Sequence, residues 1–306
     1  MLLNLHHETH YCYSPAVENA HHIVHLQPAS GLAQTVLSHQ LHISPPPDHQ
    51  RDAQDVFGNY RTFFSVHRSH LELSVSASSV VNTHRAQSHH NCGNAPWEST
   101  RERYVYRAGS PHDAAWQFVF ASPFAPDSRE FPEFAEFAAP SFLPSRPLAE
   151  AAHDLMSRVH STMSYDGDAT DVNTPPLLAL RQGKGVCQDF AHIMVACCRA
   201  LGLPARYVSG YMLTQPLAGQ SRLIGCDATH AWVQVYCADP QDPERGEWLD
   251  FDPTNNRVPL DEYIVLATGR DYLDVSPVRG VIHGGAQHTL SVAVTVTPVD
   301  SVFATA

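Results

Sequence analysis

Basic side chains are scarce in this sequence. Lysine and arginine together number 19 against 31 aspartates and glutamates, which leaves a formal net charge of -12 over 306 residues. A chain so charged has no cationic stripe with which to follow a phosphate backbone, so nucleic acid is not an expected partner. A membrane surface is not expected either, and the acidic surplus serves solubility. The opening residues, MLLNLHHETH, lack a basic n-region and hold only a very short apolar run. Neither a signal peptide nor a transmembrane helix is expected there, and a cytoplasmic location follows by default. Cysteine is present but not dense: Cys12, Cys92, Cys187, Cys197, Cys198, Cys226 and Cys237 are an odd number scattered through a long chain. That is unlike the disulfide framework of a small secreted domain, and free thiols are expected. No Cys-x-x-Cys occurs, and His7-Glu8-Thr9-His10 is one residue short of the His-Glu-x-x-His zinc motif. The pairs His21–His22 and His89–His90 bring no cysteine or carboxylate at ligand spacing, so no dedicated metal site is expected. Internal repeats and low-complexity segments are also missing.

What is present is enough apolar residue, 43% of the chain, for two domains with separate cores. From Leu2 to about Asn82, short apolar runs alternate with turn residues: LLNLHHETHYCY, NAHHIVHLQPA, QTVLSHQLHIS, YRTFFSVH and HLELSVSASSVV, with FGN as a turn. This spacing is that of an antiparallel sandwich or barrel, and an N-terminal β-sandwich domain over residues 1–105 is expected. Residues 106–144, with stretches such as ASPFAPDSREFPEF, read as a connector with some short helix. At Ser145 the period changes, and Leu148, Ala152, Leu155 and Val159 recur at helical spacing. A second helix is expected from about Cys187 to Gly202, followed by strands in ARYVSGYML, THAWVQVY and EWLDFD. Helices followed by an antiparallel sheet describe an α+β domain over 145–306, with HTLSVAVTVTP as a final strand added to one of the sheets.

The stretch GVCQDFAH holds the first candidate for chemistry. A thiol attacks as the thiolate, and oriented N–H groups at a helix N-terminus favour that anion. Cys187 is placed there, whereas Cys197 and Cys198 fall mid-helix and read as small core residues. His192 is close in sequence, but five helical positions turn it about 140° away from Cys187, so the base must come from elsewhere. Asp189 reads as a partner of the helix terminus. Alternation in THAWVQVY puts His230, Trp232, Gln234 and Tyr236 on one face and the small aliphatic residues on the other. The same test on EWLDFDPT groups Trp248, Asp250 and Asp252. A carboxylate from that neighbouring strand is expected to hold His230 at Nδ1, giving Cys-His-Asp logic. Periodicity does not choose between Asp250 and Asp252.

The blocks YDGDATDVNTPPLLALRQGKGVCQDFAH, GLPARYVSGY, THAWVQVY, WLDFDPTNN and GRDYLDVSPVRGVIHGG resemble, in order, those of the bacterial transglutaminase-like family, described as predicted cysteine proteases. The N-terminal YSP, HLQP and DVFGN resemble its accompanying β domain. The resemblance implies a papain-like transglutaminase core in which Cys187 is the nucleophile, His230 the base and later acid, and Asp252 the residue that orients the histidine. The chemistry implied is acyl transfer at amide bonds through a thioester, with hydrolysis of a peptide or amide substrate as the first expectation. Transfer to an amine, or a non-catalytic interaction module with a vestigial triad, are the alternatives. No cofactor is needed for this scheme. Eukaryotic transglutaminases place a tryptophan beside the cysteine, whereas Val186 and Gln188 flank Cys187, so protein crosslinking is not implied. Tyr165, Gln188 and Trp232 are the candidates for contact with substrate.

Overall fold

In the computed structural model, which describes residues 1–84, 94–105, 107–108, 113–214, 229–239, 242, 245–285 and 287–299, the N-terminal runs form one antiparallel sheet. Two runs that read as separate strands are a single strand, β1 (Leu2–Val24), in which leucines and other buried residues alternate with exposed ones. Pro15 has no N–H to give the ladder, and the register against β5 (His70–Thr83) shifts between Cys12 and Val17. The first half of β1 lies between β5 and β13 (Gln287–Pro298), and its second half lies between β4 (Tyr60–Val66) and β12 (Val278–Gly284). β2 (Gln34–Ser44) and β3 (His49–Gln54) complete the two edges of the path. Leu73 and Val75 from one half share a core with Val17, Ala20, Phe64 and Val66 from the other. The sheet is therefore curled on itself through β1, where the sequence pattern had left a sandwich or a barrel open and the two sheets of a sandwich were expected. β3 escaped the sequence reading because HQRDAQ is exposed along almost its whole length and gives no apolar signal.

The second core is built around α3 (Leu148–Thr162) and α5 (Cys187–Ala200). The sheet they face has the order β10 (Gly246–Phe251), β9 (Thr229–Ala238), β8 (Ala205–Met212) and β11 (Tyr263–Gly269), all antiparallel. Leu155, Met156 and Val159 of α3 meet Phe190, Ile193 and Met194 of α5 and Val233 and Val235 of β9. Phe134, Ala138 and Phe142, from the segment read as a connector, are buried in the same cluster. Among the described residues no helix is long and apolar enough to cross a membrane.

The two sheets meet at β11. Leu3, Leu5, Val81, Val294 and Val296 pack against Tyr211, Ile264 and Leu266. β11 is an edge strand whose outward backbone groups need partners. Two carboxamides supply them: Gln34 exchanges hydrogen bonds with the Val265 N–H (2.8 Å) and C=O (2.7 Å), and Asn59 does the same for Thr268 (2.8 Å each). The N-terminal sheet thus caps the open edge of the sheet that carries the candidate site.

Three buried histidines are held neutral. Burial, with His6 nearby, lowers His7 to about 4. Burial with His70 and His21 lowers His22 to about 4, and burial with Arg199 lowers His192 to about 3. The unfolded chain takes up these protons near pH 6.5, whereas the folded chain refuses them until well below it. Stability is therefore expected to fall as pH drops from about 6.5 toward 4, by up to about 1.4 kcal/mol per pH unit for each histidine. Urea denaturation at pH 7, 6 and 5 checks this; equal stability at all three would contradict it.

Candidate active site

The backbone before α5 fixes where Cys187 stands. α4 (Pro176–Gln182) ends at Gly183, whose φ of +66 is the left-handed conformation that glycine tolerates. Lys184–Gly185 (β7) then runs parallel to Ser164–Tyr165 (β6), and Cys187 begins α5, partly exposed. Asp189 accepts hydrogen bonds from the Val186 N–H at 2.8 Å and the Thr170 hydroxyl at 2.6 Å. It serves the helix terminus as its position suggested, and burial raises its pKa. His192 turns into the core, stacked on Phe124 at 4.7 Å, with Nε2 accepting from the Tyr272 N–H at 3.2 Å.

β9 presents His230 on the face that alternation assigned to it. Its Nε2 lies 2.7 Å from Asp252 Oδ2, with His230 8% and Asp252 0% exposed. The sequence reading expected this contact at Nδ1; the structure makes it at Nε2. Nδ1 is the ring nitrogen nearer the β9 backbone, against which α5 packs, whereas Nε2 projects on to the turn after β10. Nδ1 is thus not used by Asp252, and the Cys187 sulfur is near enough to the ring to favour its charged form. Burial works against the imidazolium, but the hydrogen bonds and charges of Asp252 and Cys187 outweigh it and push His230 up to about 10. Burial likewise opposes the Asp252 carboxylate, and the bonds from His230, Asn255 and Tyr263 reverse the effect and lower its pKa.

The choice between the two carboxylates follows from register. Asp250 stands opposite Gln234, and its Oδ1 accepts from Gln234 Nε2 at 2.9 Å and Trp232 Nε1 at 2.7 Å. Asp252 lies one step past β10, at a turn. Its Oδ1 accepts from the backbone N–H groups of Thr254 (2.9 Å) and Asn255 (3.1 Å), and its Oδ2 from Asn255 Nδ2 and Tyr263 Oη at 2.7 Å each. Sequence reasoning missed Asn255 and Tyr263. Asp-Pro-Thr-Asn carries the signal of an Asx turn, which could have found Asn255. Nothing local marks Tyr263, which arrives from β11 through the sheet order.

The candidates for substrate contact separate. Tyr165 is 63% exposed beside Cys187, close enough that the sulfur, after burial, raises its hydroxyl pKa. Trp232 is 0% exposed and stacks near His230 with centroids 6.2 Å apart, so it is a packed floor under the histidine and not part of an open cleft. Gln188 is buried, and its amide donates to the Val172 carbonyl at 3.1 Å, which ties the 170s segment to α5 and leaves the side chain turned from solvent. Asp171 caps a turn by accepting from the Asn173 N–H at 2.7 Å. Tyr207, absent from the sequence reading, is buried near Cys187. Cys197, Cys198 and Cys237 are buried, Cys12 is exposed, and Cys92 and Cys226 lie outside the described residues.

Gly210 is paired with His230 across the sheet, and a Cβ there would collide with the Ile264 carbonyl and the Trp232 ring. Gly210→Ala is expected to destabilise the fold by about 2–3 kcal/mol, since neither a backbone carbonyl nor a buried indole can yield. Chemical denaturation measures it, and a neutral result would show that the Trp232 packing is loose.

A cysteine at a helix N-terminus, a buried imidazole and a carboxylate behind it, on a helix packed against an antiparallel sheet, define a thiol–imidazole–carboxylate constellation on an α+β scaffold. Residues 137–253 match the model of the transglutaminase-like superfamily, and residues 3–82 match that of the bacterial transglutaminase-like N-terminal region. The chain belongs to the transglutaminase-like superfamily. It is 39% identical over 298 residues to an uncharacterized protein of Mycobacterium tuberculosis, covering 95% of this chain and 91% of the relative. A protein-glutamine gamma-glutamyltransferase of Pseudomonas aeruginosa is 33% identical over 106 residues, 33% of this chain and 15% of that protein. The crystal structure of a "Putative Cysteine Protease" from Cytophaga hutchinsonii shares the fold with a TM-score of 0.72 at 19% identity, covering 99% of this chain and 92% of that one.

Proposed function

We propose that the chain is a cysteine-dependent acyl-transfer enzyme acting on amide bonds, with hydrolysis as its main outcome. The observation that carries this reading is the buried His230, bonded to Asp252 at 2.7 Å, with the Cys187 sulfur near enough to the ring to favour its charged form. With the thiol proton held on His230, the sulfur attacks the amide carbonyl carbon. The N–H groups of Cys187 and Gln188 precede the first helical bonds of α5, which run from Asp189 and Phe190 to the Val186 carbonyl, and are suited to the oxyanion. The imidazolium returns its proton to the leaving amine as the C–N bond breaks, which leaves a thioester on Cys187. Water, activated by His230, then attacks the thioester and releases the acid and the free thiol. Asp252 keeps the ring oriented and stabilises its charged form throughout.

Hydrolysis is favoured because Cys187 is partly exposed and the adjacent Tyr165 is open to solvent, so water has access to the thioester. Tyr165 is the side chain assigned to substrate contact. Likeness to the P. aeruginosa glutamyltransferase supports a second reading, in which an amine replaces water. Mass analysis of reactions with peptide and glutamine-amide substrates, with and without a primary amine, tests both. Acid product despite added amine is expected; an amine adduct would favour transfer, and neither product nor acyl-enzyme would return the chain to an interaction module.

A further inference from the structure

The HHETH segment fails as a zinc motif by spacing along the chain, yet the sheet gives its last histidine new neighbours. His10 and Cys12 stand two residues apart on β1 and project from the same face. Glu72 on β5 is the register partner of Cys12. The imidazole nitrogen, the sulfur and a carboxylate oxygen of these three residues lie within 4.8 Å of one another, and Cys12 Sγ is 3.3 Å from His10 Nε2. We propose that His10, Cys12 and Glu72 form a binding site for a borderline-soft divalent cation of the zinc class, with water as the fourth ligand.

The donor set and the spacing both favour this assignment. Thiolate and imidazole select zinc-like ions over magnesium or calcium, and one carboxylate completes a set of three protein ligands. Tetrahedral zinc with ordinary bond lengths holds such donors roughly 3.4–3.6 Å apart. The His10–Cys12 separation is already near that, and Glu72 needs only a change within its own exposed side chain. The backbone beneath is fixed, because this part of β1 is hydrogen-bonded to β5 on one edge and β13 on the other. Ser74, opposite His10, is small and turns to Glu8 at 3.4 Å, which leaves the imidazole room. Binding would release the thiol proton to solvent and clamp β1 to β5, without touching Cys187.

The test uses Co²⁺ as the probe on the full-length Cys187→Ala protein, so that the candidate active site offers no thiolate. One equivalent of Co²⁺ should give a thiolate-to-cobalt charge-transfer band that Zn²⁺ displaces. The band should vanish in Cys187→Ala/Cys12→Ser. Affinity should fall at least about tenfold when His10→Ala or Glu72→Gln is added to Cys187→Ala. Circular dichroism of each variant verifies folding. No band in Cys187→Ala, or a band that survives Cys12→Ser, overturns the proposal.

Discussion

Cys187→Ala is expected to lower amide turnover by at least about 10³-fold while leaving the fold in place. The magnitude follows from the way such constellations act as a unit: without a nucleophile no acyl-enzyme forms, and only binding and oxyanion stabilisation remain. The fold should survive because Cys187 is partly exposed at the start of a helix whose cap, the Asp189 bond to Val186, does not involve the sulfur. Intact-mass analysis with an activated ester or amide substrate should show a covalent adduct on the wild type and none on the variant. Peptide mapping after brief alkylation near pH 6.5 should place the label on Cys187, since His230 is protonated there and faces the sulfur. Cys197 and Cys198 should stay unlabelled, because burial raises both thiols, the second to about 12. Turnover that persists in Cys187→Ala would remove the thiol from the mechanism.

Asp252→Asn is the second large effect, and it separates catalysis from stability. The carboxylate accepts five hydrogen bonds from Thr254, Asn255 (twice), Tyr263 and His230. A carboxamide in its place turns an NH2 toward donors or breaks the turn, at a cost of about 2–4 kcal/mol. With its NH2 toward Nε2, it also holds His230 in the tautomer that carries its proton on Nδ1. The ring can then no longer take the thiol proton, and turnover should fall about 10³–10⁴-fold. The pH dependence has a definite sign. His230 has a folded pKa of about 10, above its unfolded value near 6.5, so its contribution is complete below pH 6.5 and is lost as pH rises toward 10. The stability gap between wild type and Asp252→Asn should therefore be wide at pH 6 and narrower at pH 10. A gap independent of pH would mean that the His230–Asp252 pair is not charged in the folded protein.

Local features of the chain determined a good deal. The 3.6-residue period of Leu148, Ala152, Leu155 and Val159 gave α3, and Gly202, with φ of +78, stopped the second helix where expected. Alternation placed His230 on the face away from Val233 and Val235, because a strand buried on an apolar face has no freedom to slip by one residue. The resemblance of ordered blocks named Asp252, but spacing left Asp250 equal to it. Register decided between them: Asp250 falls opposite Gln234 and is consumed by Gln234 and Trp232, whereas Asp252 reaches His230 from a turn. The ring nitrogen facing the carboxylate, the Tyr263 hydroxyl behind it, and the neutral state of His192 were also beyond the sequence. Each depends on which strand lies next to which, and on burial, neither of which is a property of neighbouring residues along the chain. The same holds for His10, Cys12 and Glu72, which a sheet register brings together and no linear spacing could have announced.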